Sequence, residues 1–109
     1  MNSPPPDDLR APAPAEPEVA WWSDAIALML RRLGYRRLAL NPGASYRGLH
    51  DSLVNELGGV DPELVLCLHE EHAVALAHGY AKVTERPLAV ALHSNVGLMH
   101  GTMALFNAF

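Results

Sequence analysis

The sequence predicts an α/β fold in which a parallel sheet carries helices on both faces. Three short apolar runs, Arg36 to Leu40, Leu64 to Leu68 and Leu88 to Leu92, lack the strict alternation of strands with one wet face. Segments of helical periodicity stand before, between and after them, giving the order αβαβαβα. Continuous apolar strands alternating with helices imply right-handed crossovers and a sheet covered on both sides.

The elements follow in order along the chain. Residues 1–18 hold most of the nine prolines, mixed with Ala, Asp and Glu. They bury too little apolar surface to offset their ordering entropy, and read as a disordered Pro/Ala-rich tail. Residues 19–109 read as one domain. From Trp21 to Leu33, Trp22, Ile26, Met29, Leu30 and Leu33 recur at helical spacing, with Gly34 as the stop. The tryptophans and methionines are expected to be core or cover for this first helix. After the first strand comes the turn Asn41-Pro42-Gly43, with Ser45 a candidate N-cap for a helix carrying Leu49, Leu53, Val54 and Leu57. Gly58-Gly59 ends that helix and Asp61-Pro62 leads into the second strand. A third helix, from about Glu71 to Thr84, presents Val74, Ala77, His78 and Ala81 on one side. Pro87 opens the third strand, and a loop at His93 to Val96 precedes a last helix running toward Phe109. No terminating signal follows, and a three-stranded sheet leaves both edges open, so the domain is expected to be incomplete.

Composition narrows the partners. Of 109 residues 50% are hydrophobic and 18% charged, with a net charge of −4. The basic pairs Arg31-Arg32 and Arg36-Arg37 flank a helix end, where cations complement the negative pole. Neither nucleic acid nor membrane is an expected partner. The single cysteine, Cys67, lies in an apolar strand and is read as a buried, inert thiol, which suits a reducing cytoplasm.

Chemistry concentrates at Leu66-Cys67-Leu68-His69-Glu70-Glu71-His72. Here a strand hands over to its helix, at the edge where open α/β sheets bind ligands. A carboxyl there is costly to bury unless something uses it. His69 and His72 stand three apart across a strand–helix junction, whereas the zincin pattern needs histidines four apart on one helix face. No protein-ligated metal is therefore expected.

With Asn41-Pro42-Gly43 before it, His69-Glu70 followed by Gly79-Tyr80-Ala81, and His93-Ser94-Asn95-Val96-Gly97 after it, the stretch from residue 21 to 109 resembles a known family. It is similar to the N-terminal, pyrimidine-binding domain of thiamine-diphosphate-dependent enzymes, closest to the benzoylformate decarboxylase and acetolactate synthase group. The resemblance implies that Glu70 hydrogen-bonds N1′ of the cofactor's aminopyrimidine and so activates its C2 carbon. A carboxyl buried in an apolar site is expected to have a raised pKa, suited to sharing that proton. The register to Gly79-Tyr80 selects Glu70 over Glu71, which then serves as a first-turn acid. Asn41, Pro42 and Gly43 match the family's first loop near the substrate pocket, though turn chemistry alone would also explain them. Ser94 and Gly97 are expected beside the cofactor.

His93 is the second catalytic candidate, with a loop histidine free of chemistry as the alternative. In benzoylformate-decarboxylase-like members a histidine in this place moves protons around the substrate. Acetolactate synthases usually read Thr-Ser-Gly-Pro-Gly here with an Asn three residues later, whereas this chain has His93-Ser94-Asn95-Val96-Gly97 and then His100. The resemblance further implies a magnesium ion bound with the diphosphate by a domain absent from these residues. That diphosphate-binding domain would belong to a second subunit, making the complete enzyme a homo-oligomer. Its Gly-Asp-Gly motif with a downstream Asn occurs nowhere in the chain. Two functions stay open: half of a 2-oxo acid decarboxylase or carboligase, inactive alone, or a non-catalytic module that folds or assembles only with a partner.

Overall fold

The structure, a computed structural model, describes residues 19–109; the tail expected over 1–18 lies outside them. Its elements run α1 (Trp22–Arg32), β1 (Arg37–Leu40), a 3-10 turn (Ala44–Tyr46), α2 (Arg47–Asn55), β2 (Glu63–Leu66), α3 (Glu70–Thr84), β3 (Ala89–Ala91) and α4 (Ser94–Ala108). The strands form a parallel sheet in the order β2-β1-β3. Leu38 of β1 stands level with Leu64 and Ala89, and Leu40 with Leu66 and Ala91. The predicted α/β architecture is therefore the observed one.

Alternation along β1 sorts the two faces. Leu38 and Leu40 pack with Ala27 of α1, Leu53 of α2 and Leu57 just after it, forming the buried core. Ala39, fully buried, points the other way, toward the face on which α3 packs. Gly97, Gly101 and Ala104 of α4 and Ala73 and Val74 of α3 are buried, and the two helices pack closely through these small residues. Gly34, Gly58 and Gly59, read as helix stops, all adopt positive φ, the left-handed backbone that glycine tolerates best.

Several boundaries differ from expectation. β2 ends at Leu66, and Leu68 is 93% exposed, because the chain must leave the sheet plane to start α3. Ser45 does not cap α2: Tyr46 is the N-cap residue and makes no side-chain cap bond. The loop expected at His93 to Val96 is helical from Ser94 onward.

The larger correction concerns α1, whose predicted apolar stripe is not its buried face. Asp24 and Ala27 are its buried residues, whereas Trp21, Trp22, Ile26, Met29 and Leu33 are exposed. Asp24 turns inward because its carboxylate accepts from the Trp21 and Ala20 amides at 2.8 and 3.1 Å. That local cap fixes the helix rotation and leaves the larger apolar side chains facing outward.

The arginines that follow α1 do more than complement its pole. Arg36 makes a forked contact with Asp61, and Arg37 pairs with Glu63, its neighbour across β1 and β2. Cys67 is half-buried and free, and its amide continues the ladder by donating to Leu40.

Candidate functional site

β1, β2 and β3 end along one edge of the sheet, and the segment after each delivers a candidate residue there. Glu70 is the first residue of α3 and is 5% exposed. His69 caps the helix: its Nδ1 accepts the Glu71 amide at 3.2 Å. This cap explains why Glu70 turns inward while Glu71 is exposed.

The charge state differs from expectation. The Glu70 carboxyl is held below the usual carboxylate range, chiefly by a hydrogen bond from its own backbone N–H. Burial pushes the other way, and the Asn41 side chain and His100 add hydrogen bonds that favour the charged form. An apolar strand end suggested desolvation alone; the helix N-terminus and polar neighbours outweigh it. Glu70 is thus an ionised acceptor near neutral pH.

His93, expected at the end of β3, is the N-cap residue of α4 and is half-buried. Its ring lies over the first loop, where a Cβ on residue 43 would come within 2.5 Å of its Cδ2. Gly43 has an extended backbone, so the need for glycine here is close approach, not turn geometry. Gly97 answers a similar demand on the other side. A Cβ there would meet His93 Cβ at 3.0 Å and Glu70 Oε1 at 3.1 Å. These two glycines let Glu70, His93 and the first loop share one small space.

Ser45 finds its role in the same place. Its Oγ accepts the Ser94 backbone N–H at 3.1 Å, joining the first loop to the start of α4. Ser94 itself is exposed, with its Oγ 3.4 Å from His93 Nδ1. Asn41 reaches Glu70, whereas Pro42 is exposed and lines a groove of about 370 Å³ with Gly43, Ala44, Tyr46, Arg47, His50 and Asp51.

Two neighbours of Glu70 were not singled out from the sequence. His100 Nδ1 lies 3.5 Å from Glu70 Oε2, and its ring stacks on His69 with centroids 4.9 Å apart. Its position on α4, three residues past the buried Gly97 and next to the buried Gly101, was the available signal. The Tyr46 hydroxyl donates to the Asn41 carbonyl. Its pKa is raised by burial and then by the Glu70 charge.

The arrangement is a buried anion at a parallel-sheet edge, ringed by imidazoles and approached closely by backbone. It can accept a hydrogen bond from a ligand and hold a proton between that ligand and His100. Among the described residues no helix is long and apolar enough to cross a membrane. No curated protein and no solved structure matches the chain significantly. The family model described as "Thiamine pyrophosphate enzyme, N-terminal TPP binding domain" matches residues 21–109, the span that carries every element and site residue above. The chain therefore belongs to the thiamine pyrophosphate enzymes, as their N-terminal TPP binding domain.

Proposed function

We propose that this chain is the pyrimidine-binding part of a 2-oxo acid decarboxylase or carboligase, acetolactate synthase-like or benzoylformate decarboxylase-like. The observation that carries the reading is Glu70, a buried carboxylate at the C-terminal edge of β2 inside a domain of this family. The residues fit the group: a carboxylate acceptor is in place, and Gly97 leaves its Oε1 unobstructed where any Cβ would press on it. When bound, thiamine diphosphate supplies the nucleophilic carbon and the electron sink of the reaction.

The protein's own residues do the rest. Glu70 would share a proton with N1′ of the aminopyrimidine, its carboxylate accepting the hydrogen bond when that ring nitrogen carries the proton. Its own backbone N–H, and then Asn41 and His100, hold that carboxylate ionised, and covering by a partner domain would strengthen the opposing desolvation. His93 lies across Gly43, between the first loop and α4, where an imidazole can transfer protons to or from a substrate. Asn41, Gly43, Ser94 and Gly97 shape the wall, with Pro42 at its outer rim.

The exposed Leu98, Met99, Met103 and Phe106 on α4 support a requirement for a partner, which the non-catalytic reading shares. That partner would be the diphosphate-binding domain of a second subunit, carrying magnesium, in a cytoplasmic homo-oligomer. Calorimetry with thiamine diphosphate and magnesium tests the division of labour. Submicromolar binding is expected only when a diphosphate-binding domain of the family is added to this chain. Equally tight binding to the chain alone, or none to the mixture, would overturn it.

A further inference from the structure

We propose that His69, Glu70 and His100 form a binding site for one divalent transition-metal ion of the zinc type. The three side chains offer donor atoms that all lie within 4.8 Å of one another. They come from two elements: His69 and Glu70 open α3, and His100 sits in the second turn of α4. Two imidazoles and one carboxylate, with a position left open, is a donor set that zinc accepts in tetrahedral geometry.

The geometry is close to assembled. Glu70 Oε2 already stands 3.5 Å from His100 Nδ1, and the His69 and His100 rings are nearly parallel at 4.9 Å. Donors around a tetrahedral zinc stand about 3.4 Å apart, given bonds near 2.0–2.1 Å. Closing the set from 4.8 Å thus needs a movement of up to about 1.4 Å, within reach of the half-exposed His100 side chain. His69 lends its Nε2 by moving its proton to Nδ1. That releases the Glu71 amide to water, and Glu71 is already exposed.

Two features decide which ion is taken. The N-termini of α3 and α4 converge on this edge and oppose a cation, so the Glu70 charge is needed to hold one. With two nitrogens and a single carboxylate, the set favours zinc, nickel or copper over magnesium and calcium, which want oxygen ligands. His69 and His72, the pair first visible in the sequence, are not the site; the second imidazole comes from α4. If Glu70 also serves the cofactor, metal and aminopyrimidine compete for it. That consequence rests on the reading above, whereas metal binding does not.

The test uses the full chain, with zinc followed by calorimetry and cobalt(II) by its visible ligand-field bands. One ion per chain and a tetrahedral cobalt spectrum are expected, with no competition from excess magnesium. H69N, which keeps an N-cap oxygen, H100N and E70Q should each weaken zinc binding at least ~10-fold, since even groups behind the ligands matter that much. H50Q, on α2, should not weaken it, and circular dichroism checks that each variant keeps its helices. No zinc binding at millimolar concentration, unchanged binding in H69N and H100N, or displacement by magnesium would overturn the proposal.

Discussion

Alanine at three helical glycines separates what the site demands from what a helix prefers. In a helix interior Ala is favoured over Gly by about 0.8–1 kcal/mol. Gly79, on the exposed side of α3, has nothing within 4 Å of an added Cβ, so G79A should gain nearly all of it. At Gly101 the nearest atoms are methyls of Leu92 and Val74 at 3.4 Å, ordinary contacts. G101A should therefore stabilise by about 0.5–1 kcal/mol. At Gly97 the new methyl meets His93 Cβ at 3.0 Å, Glu70 Oε1 at 3.1 Å and Glu70 Cγ at 3.2 Å. The neighbours must yield by a few tenths of an ångström in a buried place, and overpacking of this kind costs about 1–3 kcal/mol. Subtracting the propensity gain leaves G97A destabilised by about 0–2 kcal/mol. Urea denaturation of the four proteins, followed by circular dichroism, reads these differences as midpoint shifts. If G97A proves as stable as G79A, the close approach of Glu70 and His93 to α4 is refuted.

The folded-state pKa values of Asp24 and Glu70 are both depressed, so their stabilising effect is present above the ordinary carboxylate range and lost as pH falls through the folded values. Thermal midpoints should drop on acidification below about pH 4–5, and less steeply in E70Q; an equal drop would contradict the assigned partners of Glu70. In an enzyme completed with a diphosphate-binding domain, H93A should lower turnover by ~10- to 1000-fold without slowing proton exchange at the cofactor's C2. Intact turnover would leave His93 as packing for Gly43. The chain alone should self-associate in sedimentation, because α1 and α4 each expose several large apolar side chains; a monomer stable at high concentration would count against this.

The sheet and its helices were legible because apolar runs and helical periods are local signals, and Gly34 and Gly58-Gly59 mark their stops. The rotation of α1 was not, because Asp24 bonding to the Trp21 amide overrides the larger apolar stripe. Glu70 could be placed from the strand–helix handover alone, but its charge could not. The groups that depress its pKa include Asn41 and His100, about thirty residues away on either side. Gly43 read as a turn residue, yet what requires it is the His93 ring, fifty residues downstream. Contacts between loops at one sheet edge leave no pattern in the sequence nearby.

The central claim is that Glu70, and not its neighbour Glu71, activates the cofactor. It is tested most directly by proton–deuterium exchange at C2 of thiamine diphosphate bound to the completed enzyme. E70Q should slow that exchange at least ~100-fold, the scale of a positioned acid–base group, while E71Q, altering an exposed first-turn side chain, should leave it near the unmodified rate. Equal slowing by both substitutions, or unchanged exchange in E70Q, would contradict the account.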